Sequence, residues 1–253
     1  MDIVSCIVTV APLRREDSHR SEIVTELLFG ERAELLEKGK DFVRLRCLYD
    51  DYEGWCQRTQ VEEMASTTAA TVASKFISVK YDEVQAGKQS WPVTFASPVH
   101  GEGNIAVGRY TIRYNDKNIW DATNTPFEES KILICAKMYL HTPYLWGGKS
   151  VLGIDCSGFA QQVYKMFGMI LPRDAWQQAE KGEVVGFLQQ ARCGDLAFFD
   201  NEEGKIIHVG LLLNDYTIIH SSGKVRIDQI DNAGIISSDT GERTHKLRII
   251  KRY

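Results

Sequence analysis

The sequence predicts an α+β protein in three parts, 1–62, 63–126 and 127–253, of which the first two are small and all-β. Three observations lead there. Short apolar stretches separated by turn residues fill the front of the chain, a helical stripe follows a cysteine at position 156, and alternating strands follow Gly194. At 253 residues the chain is long enough to bury more than one core.

In chain order, residues 1–62 read as strands Ile3 to Val10, Thr25 to Leu28, Arg32 to Lys38, Phe42 to Leu48 and Gly54 to Cys56. Turns such as Glu37-Lys38-Gly39-Lys40-Asp41 and Tyr49-Asp50-Asp51-Tyr52-Glu53 divide them. A second set runs from about residue 70 to 124, with strand cores at Trp91-Pro92-Val93, Val107-Gly108 and Tyr110-Thr111-Ile112. A helix over Glu128 to Leu140, apolar at Ile132, Leu133, Ala136, Tyr139 and Leu140, opens the third part.

Behind Asp155, a second helix begins at Cys156. Phe159, Val163, Met166 and Phe167 form its stripe, and Gly168 and Pro172 end it. First-turn N–H groups and the positive end of the helix dipole favour a thiolate at Cys156, while a cysteine there equally suits the plain role of a small buried hydrophobe. Gly194 to Phe199 then reads as a turn entering a strand, followed by strands Lys205 to Leu213 and Tyr216 to His220. His208 shares a strand face with Ile206, Gly210 and Leu212, and adjacent antiparallel strands put it beside His220. A helix-borne cysteine, a strand-borne histidine and a polar residue steadying the ring make a nucleophile, a base and its orienter. Each histidine alone suits a hydrogen-bonded core role. Metal binding by Cys156, His208 and His220 lacks the close ligand spacing usual for zinc, so no metal or organic cofactor is expected.

The net charge of −4 and the absence of a basic stripe argue against nucleic acid as partner. No apolar run approaches the roughly 20 residues that a membrane-spanning helix needs, so no membrane insertion is expected. The six cysteines show no close paired spacing and read as reduced thiols. The start, Met1 to Cys6, lacks the basic and apolar regions of a signal peptide. A cytoplasmic monomer is expected if Met1 is the native start, and a periplasmic or secreted protein if an export signal has been trimmed.

Taken together, Asp155-Cys156-Ser157-Gly158-Phe159, Gly194-Asp195-Leu196-Ala197-Phe198-Phe199, His208-Val209-Gly210 and Ile219-His220-Ser221 resemble the NlpC-type family of bacterial cell-wall cysteine peptidases. The likeness covers about the last half of the chain. It implies a papain-like catalytic domain (helix bundle plus antiparallel sheet), with Cys156 as nucleophile, His208 as base and His220 as orienter. Pro143 to Gly148 resembles the family's entry motif, which implies that Tyr144 helps hold the oxyanion and that Trp146 lines the site. Leu171 to Gln178 resembles its groove segment, implying substrate contacts for Arg173 and Asp174, with Ala175 standing where serine is commoner.

Pro12-Leu13-Arg14, Leu28-Phe29-Gly30-Glu31 and Tyr52-Glu53-Gly54-Trp55 resemble a bacterial SH3-like barrel, and 63–126 reads as a second, divergent one. Two barrels before the peptidase domain are similar to the arrangement of the dipeptidyl-peptidase VI-like members. That implies cleavage of the γ-D-glutamyl to diamino-acid (lysine or diaminopimelate) bond of murein stem peptides with a free N-terminal L-alanine. It also implies that the first barrel roofs the groove through Glu31 and Tyr52, and that Asp155 and Ser157 contact substrate beside the nucleophile. Asp155 also suits a helix N-cap, and the two roles can coincide. The rival expectations are a non-catalytic peptidoglycan-binding protein and a papain-like amidase or acyltransferase.

Overall fold

Seven short antiparallel strands form the first sheet: β1 (Ile3–Cys6), β2 (Val10–Arg14), β3 (Ile23–Leu28), β4 (Arg32–Lys38), β5 (Phe42–Cys47), β6 (Glu53–Gln57) and β7 (Val61–Glu63). Their order is β3-β2-β6-β5-β4-β1-β7. The computed structural model describes residues 2–64, 72–101 and 103–253; part of the start of the second predicted strand set lies outside them. The single strand expected over Ile3 to Val10 is instead two. β1 lies between β4 and β7, whereas β2 lies between β3 and β6, so the chain must turn at Ile7 to Thr9 to change neighbours. Val4, Cys6, Leu13, Leu27, Val43, Leu45 and Cys56 form the core of this sheet.

β8 (Lys75–Ile77), β9 (Tyr81–Ala86), β10 (Gln89–Thr94), β11 (Asn104–Val107), β12 (Tyr110–Arg113) and β13 (Ile119–Asp121) follow. They make a four-stranded sheet, β10-β9-β12-β11, and a β13-β8 pair. Their core gathers Ile77, Val84, Val93, Val99, Val107 and Ile112 around Phe29. These strands, with everything up to Asn124, form one unit, which also takes in Trp146–Val151 with β14 (Lys149–Ser150).

The second unit comprises Thr125–Leu145 and Leu152–Tyr253. Its first helix, α1 (Glu129–Lys137), stops short of the expected Leu140. The His141 N–H donates to Val225 O at 2.9 Å and His141 takes a left-handed φ of 67°, so the chain leaves the helical path. After β15 (Gly153–Ile154) comes α2 (Cys156–Lys165), whose N-cap Asp155 accepts the Gly158 N–H at 2.7 Å. Gly168, at φ 73°, ends the run as the glycine after a helix commonly does. A short helix, α3 (Ala175–Ala179), follows, its Gln178 amide donating to the Ser157 and Pro172 carbonyls.

The remaining strands are β16 (Glu183–Val185), β17 (Leu196–Asp200), β18 (Ile206–Leu212), β19 (Thr217–Ser222), β20 (Lys224–Asp231), β21 (Gly234–Ile236) and β22 (Arg243–Arg252). They pair antiparallel in the order β16-β22-β17-β18-β19-β20-β21, and β21 pairs back onto β22, so six strands close on themselves. Closure leaves only β16 as an edge. Helix α2 packs on β18 and β19, burying Phe159, Ala160 and Val163 completely. This contact is what fixes the first turn of α2 against the histidine-bearing strands.

Candidate active site

Cys156 is the first residue of α2, and its sulfur accepts the backbone N–H groups of Ser157 and of Val209, the residue after His208. The helix cap and the sheet therefore meet at one sulfur atom. His208 Nε2 is 2.9 Å from His220 Nδ1, and His220 Nε2 is 3.0 Å from Asp228 Oδ2. All three side chains are buried. With Nε2 engaged, Nδ1 is the His208 nitrogen left to take a proton from the thiol.

The register explains why the two rings reach each other. His220 sits opposite Gly210 rather than opposite His208, so the two histidines are diagonal neighbours across β18 and β19. A Cβ placed on Gly210 would lie 2.9 Å from His220 Cβ and 2.6 Å from Ile218 Cδ1, so only glycine lets His220 lean across. Gly210→Ala is expected to cost about 1–3 kcal/mol by overpacking and to lower kcat, read by thermal unfolding and initial rates. Unchanged values of both would show that the sheet gives way freely there.

Burial pushes the Cys156 thiol up to about 12, and the Asp155 charge pushes the same way; the Val209 and Ser157 N–H groups and the Arg173 guanidinium oppose them without prevailing. This departs from the thiolate expected of a helix start, because desolvation outweighs the dipole. Burial, then the neighbouring His220 and His245, hold His208 well below the usual histidine range. The resting groups are thus a protonated thiol at the start of α2 and a neutral imidazole on β18, the strand on which α2 packs.

His245, on β22, stacks on His208 with ring centroids 4.2 Å apart, and burial and His220 bring it down to about 4. Both rings stay neutral in the folded protein, yet in the unfolded chain each takes up a proton as pH falls below about 6.5. The unfolded state then binds more protons, so stability is full above that pH and is lost on acidification. Tm is expected to drop by about 5 °C or more between pH 7 and pH 5, and less in His245→Phe. A Tm unchanged over that interval contradicts the buried neutral pair.

Tyr144 is pinned by its own N–H to Gly223 O at 3.0 Å and by a bridge to Ile154. Burial raises its phenol above the ordinary value, and the nearby Cys156 and Asp155 add to that, so the hydroxyl keeps its proton. Arg173 is buried and reaches Asp155 in bidentate fashion, Nη1 to Oδ1 at 3.0 Å and Nη2 to Oδ2 at 2.6 Å, while Nη1 also donates to Ser157 Oγ at 2.9 Å. Ser157 Oγ is itself 3.2 Å from Asp155 Oδ1. Asp174 precedes α3, its N–H donating to Gln177 Oε1 at 3.2 Å, and Ala175 opens that helix.

Cys156, His208, His220, Tyr144, Asp155, Ser157, Arg173 and Asp174 thus share the second unit. The other three residues singled out from the sequence belong to the first. Glu31 is buried there, its Oε2 accepting the Leu28 N–H at 3.0 Å and lying 3.5 Å from Lys149 Nζ. Tyr52 donates its N–H to Asp50 Oδ1, and Trp146 donates its indole N–H to Glu22 Oε1 at 2.7 Å. Two residues of the site escaped the sequence reading, Asp228 and His245. For Asp228 a signal existed: two-residue alternation puts it on the same strand face as Arg226, the residue that pairs with His220.

A model of the NlpC/P60 family matches residues 141–244, and a model of the bacterial dipeptidyl-peptidase SH3 domain matches residues 13–61. The chain is 30% identical over 228 residues to the gamma-D-glutamyl-L-lysine dipeptidyl-peptidase of Bacillus subtilis, covering 79% of this chain and 72% of that one. It is 28% identical to dipeptidyl-peptidase 6 of Lysinibacillus sphaericus, covering 89% and 90% respectively. A crystal structure of an NlpC/P60 family protein from Bacillus cereus has the same fold, with a TM-score of 0.82 over 99% of each chain at 19% identity.

Proposed function

Because this chain belongs to the NlpC/P60 family of cysteine peptidases, we propose that it hydrolyses the γ-D-glutamyl to diamino-acid bond of murein stem peptides bearing a free N-terminal L-alanine. The observation that carries the chemistry is the sulfur of Cys156 hydrogen-bonded at Val209, next to a neutral His208 that is steadied by His220. The similarity to gamma-D-glutamyl-L-lysine dipeptidyl-peptidases and to dipeptidyl-peptidase 6 supports the choice of substrate.

In the proposed reaction the Cys156 sulfur attacks the γ-carbonyl carbon as its proton passes to His208 Nδ1. Positive charge on that ring is shared with His220 through the Nε2 contact. The oxyanion takes hydrogen bonds from the Cys156 N–H and the Tyr144 hydroxyl, which the surrounding burial keeps protonated. His208 then gives the proton to the departing amine, the C–N bond breaks and a thioester remains. Water, deprotonated by His208, releases L-Ala-γ-D-Glu and returns the thiol.

In this reading residues 127–253 form a papain-like domain, and 1–62 and 63–126 are two SH3-like barrels. Support comes from the helix-borne cysteine on an antiparallel sheet and from the separate β1–β7 and β9–β12 sheets. Asp155, Ser157, Arg173, Asp174, Trp146, Glu31 and Tyr52 are the proposed substrate contacts. The test is mass spectrometry on defined tri- and tetrapeptides, N-terminally free and N-acetylated. Cleavage limited to the free amines is expected; equal cleavage of both makes the protein an endopeptidase, and cleavage of neither rejects the substrate.

A further inference from the structure

The buried carboxylate of Asp228 is one step beyond the three residues that carry the proposed chemistry. Its Oδ1 accepts three hydrogen bonds, from the Ser238 N–H at 2.9 Å, the Ser238 hydroxyl at 2.7 Å and Arg226 Nη2 at 2.9 Å. Its Oδ2 lies 3.0 Å from His220 Nε2 and 2.9 Å from Arg226 Nε. Although burial alone favours the neutral acid, these hydrogen bonds hold the Asp228 carboxyl well below the usual carboxylate range. It is an anion that can only accept.

That restriction propagates through the rings. With both rings uncharged, one hydrogen-bonding proton lies between His220 Nδ1 and His208 Nε2, and two arrangements are conceivable. If it sits on His220 Nδ1, then His220 Nε2 is a lone pair aimed at the carboxylate, and two acceptors face each other. If it sits on His208 Nε2, His220 donates from Nε2 to Asp228 and accepts at Nδ1. Only the second satisfies every group, and it leaves His208 Nδ1 as a lone pair able to take the Cys156 proton. In the first, His208 carries its proton on Nδ1 and has nothing with which to accept the thiol's.

We infer that Asp228 is a positioning residue, which acts through His220 to set the tautomer of His208 and so makes it a base. The inference rests on the peptidase reading, but its first test does not. Two-dimensional ¹⁵N spectra of the histidine side chains of the wild-type protein, without substrate, are expected to show both His208 and His220 protonated at Nε2. A proton on Nδ1 of either ring overturns the inference, whatever the substrate proves to be.

Asp228→Asn supplies the second test. The three donors around Oδ1 favour the amide oxygen there, so the NH₂ group faces His220 Nε2 and inverts the relay. With a peptide that the wild-type enzyme cleaves, kcat is expected to fall by about 10²- to 10⁴-fold, by analogy with the orienting aspartate of a serine protease. KM is expected to change by less than about threefold, because the change acts on the base and not on binding. The His208 ¹⁵N signals are expected to move to the Nδ1–H pattern. A folded Asp228→Asn protein with wild-type kcat overturns the inference; if the variant fails to fold, the wild-type spectra decide. Failure of the wild-type enzyme to cleave any stem peptide is a separate result, against the proposed substrate and not against Asp228.

Discussion

Cys156→Ala is expected to abolish release of L-Ala-γ-D-Glu from a free stem peptide, a loss of about 10⁶ in kcat if the nucleophile, base and orienter act as one unit. The fold is expected to survive. Asp155 still caps α2 through the Gly158 N–H, and one sulfur is lost from a helix otherwise buried along its length. Peptide hydrolysis by mass spectrometry, with unfolding monitored in parallel, separates these outcomes. Full turnover in the alanine variant rules out covalent catalysis at this residue. Loss of turnover with loss of fold is distinguished by Cys156→Ser, which keeps more of the side-chain volume and replaces the sulfur with a much weaker nucleophile.

Arg173→Met is expected to give the largest loss of stability. The guanidinium is only 2% exposed and binds both oxygens of Asp155, itself 6% exposed. Removing one member of a buried pair takes the counter-charge from the other, at a cost of about 3–5 kcal/mol. For a chain of this size that corresponds to roughly 6–20 °C in Tm. Activity is expected to fall as well, since Asp155 immediately precedes the proposed nucleophile and caps the first turn that carries it. Pairing the change with Asp155→Asn, which removes the buried negative charge and keeps a cap acceptor, is expected to restore part of the lost Tm. A double variant no more stable than Arg173→Met assigns the loss to packing.

Much of this site was legible because its parts are local. Asp155 before Cys156 reads as a cap before a helix, and Gly168 reads as its end; both hold. The strands bearing His208 and His220 follow from β-branched and aliphatic runs broken by Asn214-Asp215. What stayed hidden depends on long-range pairing. Whether His245 lies over His208 is set by β22 pairing with β17, a strand more than forty positions earlier, and no periodicity reports that. Asp228 shares its strand face with Lys224 and Arg226, so alternation places it beside His220 but its charged neighbours suggest a solvated face and conceal its burial. The sulfur's protonation depends on long-range packing in the same way. A helix start is visible in sequence, but burial by β18 is not, and burial dominates.

The break between β1 and β2 teaches the same point at the front of the chain. Ile3 to Val10 is uniformly strand-forming, so propensity has no reason to interrupt it. The interruption comes from the sheet order, which needs the two halves in different places. After α1, similarly, the turns that follow Lys137 leave the helical path where β20 captures the His141 N–H and not where a helix breaker stands.

The proposed mechanism passes through an L-Ala-γ-D-Glu thioester on Cys156, a species that a non-catalytic peptidoglycan-binding protein does not form. Quenching the enzyme in acid during turnover of a free stem peptide, then digesting and mass-mapping it, tests for that species directly. The account predicts the acyl group on the peptide that contains Cys156 and on no other, and its absence from Cys156→Ala. Product accumulating at the wild-type rate while Cys156 stays unmodified at every time point, under conditions that preserve an authentic thioester, contradicts it.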